Sequence, residues 1–575
     1  MLAKMLRAHR AAAGGRDSPP TATGRGVEVA GRGPWVFHPF LIAAFPVVSL
    51  YAHNVREAPP SALARPIGLA LLGTAAVWLA FRLATRSAAR AGLATSLLVA
   101  LFFGFGQICR VVDQVCEYLS GFWVEHQTIP PLGVLALLTI AAWAALRVVF
   151  RRPGDFRRAT AYLNVSAAIL VALPSLGAAS ARMRQPASPL PGLATSKVPA
   201  PTSAGPVTGR RPDIYFIVLD GYARSDVMKD LFGFDNGPFL GRLERKGFFV
   251  ARRSTSNYCQ TRLSIASTLN ADYLDRLLDP SARADLLPIS TLIHDNRVVR
   301  LLRPRGYRFV SFATGFEPTD CFDADLFLQP GPAPTEFDRL LVEMTPLGPI
   351  FAEVKMQDRY SAGRDRTLFL LDALPKVASM PGPTFTYAHV VCPHPPFLFG
   401  EHGEDVSPRE IFPHAFNPRL ADRKFGTPDY FREAYRKQSI FLTDAVEAMI
   451  GRLLAASPEP PIIILQSDHG SWLRYHPDDA DATDLRERFG ILNAIYLPGR
   501  KPDTLDDRMT SVNTFRAVLS DAFGEDLPPL PGRNLFSPFK DPLDFTDVTE
   551  RLHSDAEKRR QFTYPGKYPS LLQQF

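Results

Sequence analysis

The sequence predicts an N-terminal polytopic α-helical membrane region of about five spans, followed by a C-terminal α/β domain. Three observations predict it. Five apolar stretches of bilayer length crowd the first third of the 575-residue chain. Three later segments, far apart in sequence, each end an apolar run with a group that can hold or use a metal. A stretch rich in Pro, Ser, Ala and Gly separates the two regions. The resulting division is a basic tail at 1–33, a membrane region at 34–182, a linker at 183–210, an α/β domain at 211–540 and a C-terminal extension at 541–575.

The apolar stretches lie near 34–52, 66–85, 91–109, 131–150 and 160–181. A helical span needs about 20 mostly apolar residues. Leu98-Val-Ala-Leu-Phe-Phe-Gly104 and Leu135-Ala-Leu-Leu-Thr-Ile-Ala-Ala-Trp143 are the clearest cores, whereas Asn164 and Pro174 interrupt the fifth stretch. Such a succession argues against buried helices of a soluble protein. Loop charge sets the orientation. Lys4, Arg7, Arg10, Arg16, Arg25 and Arg32 mark the tail. Arg82, Arg86 and Arg90 mark the second-to-third connection, and Arg147, Arg151, Arg152, Arg157 and Arg158 the fourth-to-fifth. The alternate loops are poorer in Lys and Arg, and one carries Asp113, Glu117 and Glu125. The basic side is thus inside, and an odd number of spans puts the C-terminal domain outside a cytoplasmic (inner) membrane. About 33 mostly polar residues precede the first apolar run, which is not a cleavable signal-peptide layout.

The net charge of +8 invites a nucleic-acid reading, but much of the excess sits beside the apolar stretches of the first third. Nucleic acid is therefore not an expected partner; membrane lipids are. The segment with Gln185-Pro-Ala-Ser-Pro-Leu-Pro-Gly192 reads as a semi-extended linker. There is no internal repeat. Of five cysteines, Cys109 and Cys116 belong to the membrane part, and Cys259, Cys321 and Cys392 would face an oxidising compartment. One disulfide among those three is open, with no pair chosen by sequence. Their spacing fits no zinc-site pattern.

The site segments are Ile214-Tyr-Phe-Ile-Val-Leu-Asp220-Gly221, Asn257-Tyr-Cys-Gln-Thr261 and Ile462-Ile-Ile-Leu-Gln-Ser-Asp468-His469-Gly470. An all-apolar run of this length reads as a strand buried on both faces, as in a parallel sheet. Ligands of open α/β sheets collect beyond the carboxyl ends of such strands, where Asp220, Asp468 and His469 fall. A buried carboxylate needs a strong partner, and a divalent cation is one. Asp220 is a metal ligand or, failing that, the N-cap of a short turn. Asp468 and His469 can share one metal only if the strand ends at them, and Gly470 supports such a break. Thr261 opens a helical stretch that runs to Asn270. A hydroxyl there sees the positive end of the helix dipole, which favours an alkoxide and an incoming anion. It is a nucleophile and metal ligand, or a plain N-cap.

Taken in order, the strand-end Asp, the helix-start Thr, a His-x-Pro-Phe-like segment and Ser-Asp-His-Gly resemble the alkaline phosphatase superfamily. Within it, the pattern is most similar to the sulfatase-like branch of membrane-anchored lipoteichoic acid synthases and phosphoethanolamine transferases. The resemblance covers roughly 210–540 and implies an alkaline phosphatase-type, sulfatase-like fold for the C-terminal domain. It implies that Asp220, Thr261, Asp468 and His469 bind one divalent metal, Mn²⁺ or Zn²⁺ before Mg²⁺, with a second metal open. It further implies that Thr261 is the nucleophile, with Ser264 and Leu269-Asn270 in the matching helix positions. True sulfatases convert a cysteine or serine within Cys-x-Pro-x-Arg to formylglycine. Cys259-Gln-Thr-Arg-Leu lacks that proline and arginine, and a threonine cannot be so converted, which disfavours the usual sulfatase route.

The fourth element is Tyr387-Ala-His389-Val-Val-Cys-Pro-His394-Pro-Pro-Phe397. The resemblance places His394 at the substrate phosphate, able to donate a hydrogen bond or to protonate a leaving alkoxide. His389, at a strand end, contacts substrate or a second metal; His476 and Arg262 are further substrate-binding candidates, as is Arg474. His402 and His414 read as solvated loop residues. Helix periodicity at 430–454, strands at 308–313 and 492–497, and Pro531-Gly-Arg-Asn-Leu-Phe536 read as scaffold. Two departures stand out. The resembled transferases carry glutamate where this chain has Asp220, and the second-metal set of nucleotide pyrophosphatases is not evident.

The function expected is a membrane-anchored, metal-dependent phosphoryl-group transferase. It would act on phosphodiesters of lipid or of a lipid-linked envelope glycopolymer through Thr261. The alternatives are a sulfatase-like ester hydrolase or phosphodiesterase, and a non-catalytic membrane regulator that keeps the fold.

Overall fold

The computed structural model describes residues 35–55, 63–120, 131–152, 154, 156–183, 211–278, 287–331, 336–350, 352–406, 427–500 and 505–554. The basic tail at 1–33, nearly all of the linker, His414 and the end of the C-terminal extension lie outside the described residues.

Five helices stand where five apolar stretches were expected: α1 (His38–His53), α2 (Ala64–Thr85), α3 (Ala88–Ser120), α4 (Pro131–Arg151) and α5 (Arg157–Met183). Four are long and apolar enough to cross a membrane; α1 is an apolar helix of only 16 residues, and this corrects the count of five. At about 1.5 Å per residue it reaches about 24 Å, short of a hydrocarbon core of about 30 Å. Its start is fixed by α5, not by its own residues. Asn164 Oδ1 accepts from the backbone N–H groups of Phe37 and His38 at 3.0 and 2.9 Å, and Asn164 Nδ2 donates to the Trp35 carbonyl at 2.6 Å. The polar residue that interrupts the fifth stretch is therefore the cap of the first helix.

The helices alternate in direction. At one end the start of α1 meets α5 through Asn164, and Arg90 of α3 donates to the carbonyl of Arg152 just past α4. At the other end Val47, Tyr51 and Val55 pack with Ala178 near the end of α5. The arginine-rich connections thus share the end away from the chain's exit into the C-terminal half. Leu69, Leu83, Ile140 and Leu173 are exposed on the helices, as hydrocarbon-facing residues are in a membrane bundle.

The C-terminal half is built on a seven-stranded sheet in the order β2-β7-β6-β1-β5-β3-β4. The strands are β1 (Ile214–Leu219), β2 (Phe248–Val250), β3 (Arg308–Phe312), β4 (Leu326–Leu328), β5 (Thr384–Val390), β6 (Ile462–Ser467) and β7 (Asn493–Tyr496). The sheet is mixed: β6, β1, β5, β3 and β4 are parallel, while β7 and β2 pair antiparallel at one edge. Alternation along each strand feeds two cores. Tyr215, Ile217 and Leu219 join one with Ile463, Leu465 and Ala388; Ile214, Phe216 and Val218 join the other with Ile462, Ile464 and Phe385. Covering both faces explains why these strands are apolar without interruption. The first core is closed by the long helix Pro428–Ala456 through Leu442, Val446 and Met449. The second is closed by α6 (Thr261–Asn270) and by Ser511–Phe523.

Residues just past 540 stay with the domain. Thr546–Asp547 pairs with Leu535–Phe536, and Val548 and Leu552 join the first core. Cys259, Cys321 and Cys392 are each buried and free, so none of the three forms the disulfide left open by sequence.

Candidate active site

Three neighbouring strands deliver the site. β1 lies between β5 and β6, with Leu219 in register with Val390 on one side and Ser467 on the other. Asp220 therefore leaves β1 beside His389 of β5 and beside Asp468 and His469, which follow β6. The chain can turn here because of two glycines. Gly221 has φ +69°, and a Cβ on Gly470 would lie 1.8 Å from the Glu487 carbonyl oxygen.

One ligand atom from each of Asp220, His389 and Asp468 falls within 4.8 Å of the others, and all three residues are buried. His389 Nε2 lies 3.3 Å from Asp220 Oδ2. His469 Nε2 lies 3.7 Å from Asp220 Oδ1 and 3.2 Å from Asp468 Oδ2. The Thr261 hydroxyl, at the first residue of α6, is 3.0 Å from His469 Nε2. Two further bonds brace Asp468: its Oδ1 accepts from Gly221 N at 2.9 Å, and its carbonyl accepts from Ser264 Oγ at 2.6 Å.

The tautomers follow from the partners. His469 Nδ1 is 2.8 Å from the Gly470 carbonyl, which can only accept, so Nδ1 carries the proton and Nε2 is bare. His389 Nδ1 is 3.0 Å from Thr319 Oγ1, and that hydroxyl can donate to the Phe316 carbonyl at 2.9 Å. Thr319 then accepts from Nδ1–H, and Nε2 of His389 is left bare toward Asp220. A hydrogen bond of this type, to the ring nitrogen that faces away from the metal, orients metal-binding imidazoles.

Electrostatically the pocket is unfinished. Burial, then the charge of Asp220, pushes the Asp468 carboxyl up to about 7. Burial raises Asp220 as well. Burial pushes His389 down to about 4 and also lowers His469, keeping both imidazoles neutral near neutral pH. Asp220 Oδ1, Asp468 Oδ2 and His389 Nε2 are buried without a hydrogen-bond partner. Two carboxylates and a neutral imidazole with orphaned atoms converging are a donor set that fits a divalent cation.

His394 is buried, with Nδ1 2.5 Å from the Pro395 carbonyl, and it and His469 pack edge-on against Trp472 at 5.4 and 6.0 Å between ring centroids. The Arg262 guanidinium lies 5.9 Å from the centre of the Phe316 ring. His476 is half-buried, its backbone N–H donating to Thr483 Oγ1 at 3.0 Å. The Arg474 guanidinium pairs with Asp484 at 3.3 Å. Cys259, the rival nucleophile, is buried, and its sulfur accepts from Ser537 N at 3.2 Å.

Two residues of the site escaped the sequence. Thr319 comes from a short turn 70 residues before His389, and nothing local marks it. Arg488 is fully buried in the helix Leu485–Phe489, whose charges suggest a solvated surface. Its guanidinium lies 4.2 and 4.0 Å from the ring centres of Trp472 and Tyr475. It donates to the carbonyls of Cys259, Gly470 (3.2 Å) and Ser471 (3.3 Å). It thereby ties the loop before Thr261 to the loop after His469.

No family model matches this chain, and no curated protein matches it. Its structure is similar to several solved ones. One is the C-terminal periplasmic domain of EcEptC from Escherichia coli in complex with Zn (12% identity, 59% of this chain and 94% of that one, TM-score 0.37). A second is the soluble domain of lipooligosaccharide phosphoethanolamine transferase A from Neisseria meningitidis (11%, 55% and 88%, 0.36). A third is the phosphonate monoester hydrolase of Agrobacterium radiobacter (15%, 55% and 74%, 0.34). At these values the reading of this chain rests on its own residues.

Proposed function

We propose that this chain is a membrane-anchored, metal-dependent enzyme that cleaves or transfers a phosphodiester-linked group of a lipid or lipid-linked envelope glycopolymer, with Thr261 as nucleophile. The observation that carries the reading is the position of the Thr261 hydroxyl. It opens a helix and touches His469 Nε2 at 3.0 Å, beside three buried polar atoms that no protein group satisfies. Asp220, Asp468 and His389 would hold the cation, with His469 and Thr261 bordering the same space; the mixed oxygen and nitrogen donors suit Zn²⁺ or Mn²⁺. A cation there supplies positive charge that favours the threonine alkoxide and the charge growing on the phosphoryl oxygens.

The chain's own groups do the rest. The Thr261 proton passes to the bare Nε2 of His469 as the Oγ–P bond forms and the bond from phosphorus to the departing alcohol breaks. The N-terminus of α6, which opens at Thr261, presents the positive end of the helix dipole to the phosphoryl charge. The departing alkoxide takes a proton that His394 relays from solvent through Nε2, its Nδ1–H being already donated to the Pro395 carbonyl. An acceptor alcohol or water then attacks the phospho-threonine, and the same groups run in reverse. The arrangement of the bundle supports placing the domain on the side opposite the arginine-rich connections, outside the cytoplasmic membrane.

The test uses the full chain in detergent with Zn²⁺ or Mn²⁺, on bis-nitrophenyl phosphate and on nitrophenyl sulfate. Diester turnover that is lost in Thr261→Ala supports threonine-based phosphoryl chemistry. Sulfate turnover that survives Thr261→Ala overturns it.

A further inference from the structure

One cavity in the described residues lies away from the carboxylates. It measures about 930 Å³ and opens between α2, α3 and α4, three of the helices long enough to cross a membrane. That is near the top of the range of about 300–1,000 Å³ typical of ligand pockets. Its α2 wall is one helical stripe, Leu69, Gly73 and Val77, facing Leu98 and Phe102 of α3. Leu69 is 62% exposed, so the cavity opens sideways to whatever surrounds the bundle. Around membrane helices that medium is hydrocarbon.

The remaining wall comes from the C-terminal half. The helix Glu336–Glu343 and the residues after it reach back to the bundle, bringing Asp338, Leu341 and Leu347 to the cavity. The contact is tight: Met344 O accepts from Gly106 N at 2.9 Å, and a Cβ on Gly106 would lie 3.0 Å from Met344 Cα. At the rim, Arg65 stands 4.0 Å from Asp338 with its side chain 56% exposed. An apolar slot inside the bilayer with a guanidinium at its mouth matches a phosphate joined to a hydrocarbon chain.

We propose that this cavity seats an acyl chain of a bilayer glycerophospholipid, its phosphate on Arg65, and that it is where a lipid substrate's hydrophobic part is held. The second clause rests on the catalytic reading above; the first does not. The seat is shared between membrane helices and the domain that carries Thr261, so it joins lipid capture to the half that does the chemistry.

The experiment uses the full chain in phosphatidylcholine nanodiscs containing a glycerophospholipid with a photoactivatable group on its acyl chain. The variant is Gly73→Phe, because a Cβ there meets nothing within 4 Å and the ring can grow into the cavity. In the unaltered protein, cross-links are expected to concentrate on the peptides around Gly73, Phe102 and Leu341. Gly73→Phe should lower them at least fivefold, and Arg65→Gln should lower them less. Soluble diester turnover should be the same in Gly73→Phe. Labelling spread evenly over Leu83, Ile140 and Leu173, or unchanged in Gly73→Phe, overturns the proposal as bulk lipid only. Displacement of the probe by a polyprenyl phosphate but not by unlabelled glycerophospholipid overturns the choice of occupant. Slot labelling without diester turnover leaves the seat standing and removes the catalytic reading.

Discussion

Thr261 and His469 are 208 residues apart in sequence, and their side chains meet at 3.0 Å. The contact gives the hydroxyl a bare nitrogen to pass its proton to and sets it beside both carboxylates. Thr261→Ala should lower kcat by about 10³-fold or more, whereas Thr261→Ser, which keeps the oxygen, should recover most of it. Single-turnover kinetics on a nitrophenyl diester would separate the two. A serine variant as inactive as the alanine variant would mean that the threonine acts through its methyl packing.

The imidazoles divide differently in the structure and in the sequence motif. The motif pairs Asp468 with His469, but the orphaned nitrogen belongs to His389. His389→Ala should therefore weaken Zn²⁺ binding as much as His469→Ala does, measured by calorimetry on chelator-stripped protein. Equal affinity in His389→Ala and unaltered protein would remove His389 from the donor set.

Thr319 carries a further prediction about His389. Thr319→Val keeps the shape and loses the acceptor of the Nδ1 proton, so Zn²⁺ affinity should fall about 10- to 100-fold. Thr319→Ser should restore it. If Thr319 only fills space, valine will bind the ion normally.

Arg488 is buried against two aromatic rings and holds carbonyls on both sides of the site. Arg488→Met would leave the Cys259 carbonyl unpaired, a loss of about 1–3 kcal/mol, and take one of two donors from the Gly470 carbonyl, which keeps the His469 Nδ1–H. A drop in stability of about 3 kcal/mol is expected, with Tm falling in metal-free protein as well as in loaded protein. Arg488→Lys should recover only part, since an ammonium cannot reproduce the planar fork between the rings.

The three buried thiols of the C-terminal half are free in the structure. Reductant should therefore leave Tm unchanged, and Cys259, Cys321 and Cys392 should react with a thiol reagent only after unfolding. Burial pushes all three thiols up, which adds to their inertness.

The sequence by itself determined the elements that local chemistry dictates. Uninterrupted apolar runs specified β1 and β6, and the carboxylates at their ends specified where a cation could sit, because a strand buried on both faces leaves only its carboxyl end for polar groups. Span-length apolar stretches likewise specified the bundle. Tertiary structure alone decided what depends on distant chain meeting. Asn164 reads as an interruption until it caps α1, and His389, in sequence a contact to substrate or to a second metal, comes within 3.3 Å of Asp220 only because β5 lies beside β1. Thr319 and Arg488 are marked by no local pattern, since their roles consist of bonds to groups 70 and 229 residues away. The mixed edge of the sheet was hidden for a related reason: strand direction is set by connections and register, and an apolar run looks the same paired either way.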